Sequence, residues 1–168
     1  SKITMNNKKI FKRGFTLIEL LVVVAIIGLL ATVVVAALNN ARNKGGDAGV
    51  QTNLRSVSNG AELFFVNNTN SYLPSGGSTF TIATCPAYNV AGTNMLSRDK
   101  NISGAIAQAV SNGGNNGSSC YNSANVWAVA VGLKTSATTS WCVDSTGAAR
   151  QVASAPGSAI NASTFICN

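Results

Sequence analysis

The feature that most constrains this chain is an apolar run of 24 residues, Phe15 to Leu38, broken only by Thr16, Glu19, Gly28 and Thr32. Built as a helix it would be ~36 Å long at ~1.5 Å per residue. That is enough to cross a hydrocarbon core of ~30 Å with some tilt. A helix that is apolar on every side cannot rest on the surface of a small domain and has to be buried in lipid or in protein. Glu19 is the one acid in the run. A carboxylate inside a bilayer costs several kcal/mol, so a plain membrane anchor has no reason to carry it.

The flanks give the run a direction. Lys2, Lys8, Lys9, Lys12 and Arg13 precede Gly14 with no acid among them. From Phe15 onward seven basic residues face five acidic ones, 7 − 5 = +2, out of a formal charge of +7. The basic character therefore belongs mainly to residues 1–14 and is not a nucleic-acid signature. Those residues read as a leader, with Met5 as the expected start and residues 1–4 unexplained. A basic leader on the cytoplasmic side orients the helix with its C-terminal end outside. An ordinary secretory signal has a shorter apolar core of ~7–15 residues, and cleavage after Ala37 would leave Glu19 without a role.

Beyond the polar, glycine-rich residues 39–49, apolar positions return at Val50, Leu54, Val57, Ala61 and Phe64, spaced 4, 3, 4 and 3. That is the stripe of an amphipathic helix. One long helix is expected over residues 15–66, with residues 15–38 as membrane span or filament core. Gly45, Gly46 and Gly49 each cost ~1 kcal/mol against alanine, so a bend or unwound turn is expected there. Asn, Ser and Pro74 in "NNTNSYLP" end the helix. Residues 67–168 form the expected head. A helix is predicted near Ile102 to Val110, and no regular pattern in the rest of residues 70–122. Strands are predicted at residues 126–133, 140–144 and 148–153, with a weaker fourth at 163–167. The fold class is α+β: a long N-terminal helix packed by its second half on a small antiparallel meander.

Cys85, Cys120, Cys142 and Cys167 all follow the apolar run, and none forms a Cys-x-x-Cys pair. With no histidine and few acids, two disulfides in an oxidising compartment are expected rather than a metal site. Four cysteines allow three pairings. Cys85–Cys120 would close the irregular region and Cys142–Cys167 would staple the tail, so these are favoured. Each contributes at most ~3.5–4 kcal/mol by loop entropy.

"KRGFTLIELLVVVAIIGLLA", residues 12–31, closely resembles the processing and assembly motif of type IV pilins and the related pseudopilins. The layout of long helix, irregular connection, meander and late cysteine pair is similar too. The resemblance implies cleavage by a prepilin peptidase after Gly14, which leaves Phe15 as an N-methylated terminus. It also implies a homopolymer in which Glu19 of one subunit meets the Phe15 amine of its neighbour. Each charge alone is expensive to bury, and the pair is tolerable, so the contact sets register. Leu17, Ile18, Leu20 to Val24, Ile26, Ile27, Leu29 and Leu30 would face lipid before assembly and other subunits after it. Many family members place a proline near the position of Ala36, and this chain has none there. If a stretch of helix melts on assembly, Gly28 or the Gly45–Gly49 cluster is then the expected weak point.

The function expected is that of a major pilin, a structural subunit of an extracellular pilus. It would wait as a single-pass inner-membrane precursor and engage the pilus assembly machinery. A pseudopilin or minor pilin is the alternative. Without histidine, and without a nucleophile beside a base, no enzyme and no cofactor are expected. DNA binding would require Arg55, Arg98, Lys100, Lys134 and Arg150, scattered in sequence, to converge in the fold. The Asn-x-Ser/Thr triplets at Asn67, Asn101, Asn116 and Asn161 read as polar surface.

Overall fold

The computed structural model describes residues 14–168, so the leader expected at residues 1–14 lies outside the described residues except for Gly14. Chain contacts divide the described residues into two compact units, one ending at Asn39 and the other spanning Asn40–Asn168. Helix α1, Leu17–Asn67, contributes to both. After it come β1 (Phe80–Ala83), α2 (Met95–Arg98), α3 (Lys100–Asn112), β2 (Ser118–Asn122), β3 (Trp127–Gly132), β4 (Ser140–Asp144), β5 (Ala149–Val152) and α4 (Pro156–Ala159).

In the second unit the 4-3-4 stripe of α1 is the core. Val50, Leu54, Val57 and Ala61 are buried against Trp127, Val129 and Val131 of β3, Val143 of β4, and Ile102, Ile106 and Ala109 of α3. The strands form one antiparallel sheet in chain order, β1-β2-β3-β4-β5. The fold is α+β, a long helix followed by a five-stranded meander on which the helix packs. β3 explains the alternation of large and small residues. Its large side chains face α1, while Ala128 and Ala130 face a second cluster with Cys142, Ala159, Ile160 and Cys167. The C-terminal segment lies on that face, so only small side chains fit beneath it.

Three expectations are corrected. No unwound turn interrupts α1 at the glycine cluster, where the helix is continuous. A Cβ on Gly46 would sit 2.6 Å from the Asn112 carbonyl oxygen, and one on Gly49 would sit 2.6 Å from Asn112 Nδ2. The glycines admit the C-terminal end of α3 against α1, and this packing offsets their helix cost. Between them Asp47 accepts a hydrogen bond from the Lys134 backbone N–H at 2.6 Å, and others from the backbone and hydroxyl of Thr135. That ties the β3–β4 loop to α1.

The region 70–122 holds more order than its pattern suggests, because β1, α2 and β2 are short. In β2 the polar residues are themselves structural: buried Asn122 accepts from the Met95 N–H at 2.9 Å. The strand expected at 163–167 is a turn with a single bridge, Ile160 to Cys167. Asn161 Oδ1 accepts from the Ser163 and Thr164 N–H groups, and Phe165 has φ 58°. A bulky residue takes that left-handed conformation only when something holds it. Here its ring stacks on Tyr121, with centroids 4.1 Å apart.

Cys85 is joined to Cys120, and Cys142 to Cys167. The first bond encloses α2 and α3 between β1 and β2. The second ties the penultimate residue to β4. Helix α1 stops where Asn70 N–H reaches back to the Phe65 carbonyl at 3.0 Å, with Thr69 and Asn70 both at positive φ.

The glycines supply a discriminating prediction. Gly45 has open space where a methyl group would sit, whereas Gly46 meets backbone. Gly45→Ala should raise the unfolding free energy of the detergent-solubilised chain by up to ~1 kcal/mol. Gly46→Ala should lower it despite the same propensity gain. Equal effects in denaturant titrations would remove the close-approach explanation.

Candidate functional site

Gly14, Phe15 and Thr16 are non-helical and exposed, and α1 begins at Leu17. Thr16 is the N-cap and Glu19 the third helical residue. The Thr16 N–H donates to Glu19 Oε2 at 2.8 Å and the Thr16 hydroxyl donates to the same oxygen at 2.9 Å. In return the Glu19 N–H donates to Thr16 Oγ1 at 3.3 Å. This is a capping box, the reciprocal bond of Thr-x-x-Glu at a helix start. The carboxylate also stands at the positive end of the helix dipole. Glu19 thus has a place within its own chain that the family resemblance does not imply, although the spacing of Thr16 and Glu19 signals it. Both bonds converge on Oε2. Among the described residues Oε1 has no partner, so the group retains an acceptor for a cation.

Phe15 is 82% exposed, and every large apolar side chain from Leu17 to Leu38 is at least 46% exposed. Nothing among the described residues covers this stretch of α1. It is the one helix among the described residues long and apolar enough to cross a membrane. The Thr32 hydroxyl donates to the Leu29 carbonyl at 2.8 Å, so it presents no unpaired donor to an apolar environment. Gly28 has open space beside it and sits within unbroken helix.

In the head, all four acids carry structural bonds. Asp47 holds the β3–β4 loop, and Glu62 accepts from the Tyr72 hydroxyl at 3.0 Å. Asp99 caps α3 through the Asn101 and Ile102 N–H groups. Asp144 is buried and accepts from Thr146 and from the Cys167 N–H. The cations raised for DNA binding do not gather in one groove. Arg55 lines a depression with Trp141 and Ala149, and Lys100 lines a different, mainly apolar groove of about 550 Å³ with Tyr88 and Ile106. The guanidinium of Arg150 donates to the Cys167 carbonyl and that of Arg98 to the Gly92 carbonyl.

The geometry defines a head on a helix whose apolar start is bare and opens with a capped carboxylate. Residues 11–35 match the prokaryotic N-terminal methylation motif. The chain therefore carries the class III prepilin signal of type IV pilins and pseudopilins. That signal implies processing by a prepilin peptidase and assembly into a pilus-type polymer, and it agrees with membrane anchoring beforehand. Neither the curated proteins nor the solved structures contain a match to the chain.

The capping box can be tested in the full chain held in bilayer discs. Thr16→Ala should fray the first turn and speed amide exchange at Glu19 and Leu20, whose N–H groups bond to Thr16, by roughly 2- to 30-fold. Unchanged exchange would mean that the bonds to Glu19 do not hold the helix start.

Proposed function

We propose that the chain is a major pilin, a structural subunit of an extracellular type IV pilus. The observation that carries this reading is the union of the prepilin signal with a helix that is bare through Leu38 and opens on one carboxylate. In this reading the peptidase hydrolyses the Gly14–Phe15 bond on the cytoplasmic face. Phe15 becomes an N-methylated amine. The subunit waits as a single-pass inner-membrane protein with its disulfide-bonded head outside, until the assembly machinery adds it to a homopolymer.

Glu19 directs that addition. As helices stack, the Phe15 amine of one subunit meets Glu19 of its neighbour, and assemblies that leave either charge unmatched are penalised. Helix association within lipid gains little from hydrophobicity, so shape and this pair have to direct it. Once in the filament, the apolar surface is shielded from water at ~25 cal/mol per Å², which makes the fibre hard to dissolve. The head's task is structural and not catalytic. The supports are the lack of histidine and the commitment of all four head acids to structural bonds.

Mass spectrometry of material sheared from cell surfaces tests this. The expected result is an abundant N-terminal peptide that begins at methylated Phe15, and its loss when Gly14 is replaced by leucine. A chain cleaved at that bond in membranes but absent from fibres would indicate a pseudopilin. An N-terminus after Ala37 would overturn the filament reading.

A further inference from the structure

The head has a polarity of charge along α1. The unit Asn40–Asn168 holds seven cations and four acids. Arg42 and Lys44 lie on the first turns of α1 in this unit, and both are exposed. Lys134 comes from the β3–β4 loop, about ninety residues away in sequence. Its Cδ lies 2.9 Å from where a Cβ on Gly46 would be, and its Cγ lies 3.4 Å from the same point on Gly114. Gly46 is one helical turn beyond Arg42 and on the same face. The fold thus sets Lys134, exposed, over the face of α1 that Arg42 shares, while Lys44 lies on the other side of the same helical turn.

The acid of this region, Asp47, is occupied by the Lys134 and Thr135 N–H groups and the Thr135 hydroxyl. The other three acids lie away from it. Glu62 is fifteen residues further along α1, Asp99 starts α3 where Asn112 ends it, and Asp144 ends β4 where Ser140 starts it. Beside Asp99 stand Arg98 and Lys100. The base therefore carries three cations against one occupied acid, while the other four cations, Arg55, Arg98, Lys100 and Arg150, share the rest of the head with three acids.

Arg42 follows Leu38, the last residue of the apolar run, by one turn, or ~6 Å along a helix. A headgroup layer is about that deep on each side of the hydrocarbon core. Cations at this outer end do not serve orientation, which the basic leader already sets. We propose that Arg42, Lys44 and Lys134 form a docking surface for anionic phospholipid headgroups, which seats the head on the outer face of the membrane before assembly. The inference rests on the reading of Phe15 to Leu38 as a membrane span. It adds that the fold, through Asp47 and the close approach at Gly46, delivers a third cation to the lipid surface. Detachment from those headgroups is then part of leaving the membrane.

The test uses the full chain at one copy per bilayer disc. Discs of phosphatidylcholine alone are compared with discs containing one third phosphatidylglycerol. The readout is the acetylation rate of each lysine by mass spectrometry. Lys44 and Lys134 should react several-fold more slowly in the anionic discs, high salt should abolish the difference, and Lys100 should not change. Replacing Arg42 and Lys44 by glutamine should return Lys134 to nearly its rate in phosphatidylcholine discs, since each cation removed weakens the headgroup contact by roughly fivefold. Equal Lys134 reactivity in both discs, in chains retained by the discs, would overturn the proposal while leaving the span intact. A chain that is not retained in either disc would instead remove the span reading beneath it. Protection that arises only with several copies per disc would assign the surface to a second subunit and also overturn the proposal.

Discussion

The structure depends on one unmet demand: the apolar half of α1 finds no cover among the described residues of its own chain. From Leu17 to Leu38 its large side chains stand open to the surroundings, whereas further along Val50, Leu54, Val57 and Ala61 are fully buried. One helix thus has two regimes. The first is apolar on all sides and requires lipid or other helices, and the second is one-sided and is satisfied by a sheet. A water-soluble monomer would leave the first regime uncovered; membrane anchoring and a pilus-type polymer, with which the prepilin signal agrees, would cover it.

The head is organised to hold its part of α1 firmly. Gly46 and Gly49 let α3 approach, Asp47 fastens the β3–β4 loop, and the core stripe meets β3 and β4. Two disulfides reinforce a core that is modest for its length, one around α2 and α3 and one at the tail. The head's acids are taken up by bonds within the head, whereas Arg42, Lys44 and Lys134 at its base are exposed.

Much of this was legible from the residues, for identifiable reasons. The α1 stripe and β3 announce themselves through period, because the stripe and the large side chains of β3 bury against each other; β4 and β5 show through strand-like segments on either side of the Ser-Thr-Gly turn, although β5 is largely exposed. β1 and β2 do not, since they are short and β2 contains Ser118, Ser119 and Asn122. The glycine cluster misleads because its cost is local, while its reason, Asn112, lies some sixty residues away. The tail "STFIC" has strand composition, but Asn161 and the Tyr121–Phe165 stack hold it in a turn. At the candidate site, Glu19 stands out as the lone acid in an apolar run. Its bond to Thr16 needed only the Thr-x-x-Glu spacing, yet a lone acid among apolar residues points first to a partner on another subunit. The two roles are compatible, since the cap uses Oε2 and leaves Oε1 to accept from a neighbour.

The central claim is that Glu19 is half of an ion pair between subunits, set in register by its own helix cap. The most direct measurement is a filament structure at side-chain resolution. The account predicts Glu19 within hydrogen-bonding distance of the Phe15 amine of an adjacent subunit, in an interior without unpaired charge. A filament in which Glu19 bonds only to its own Thr16, with the neighbouring amine elsewhere, would contradict it.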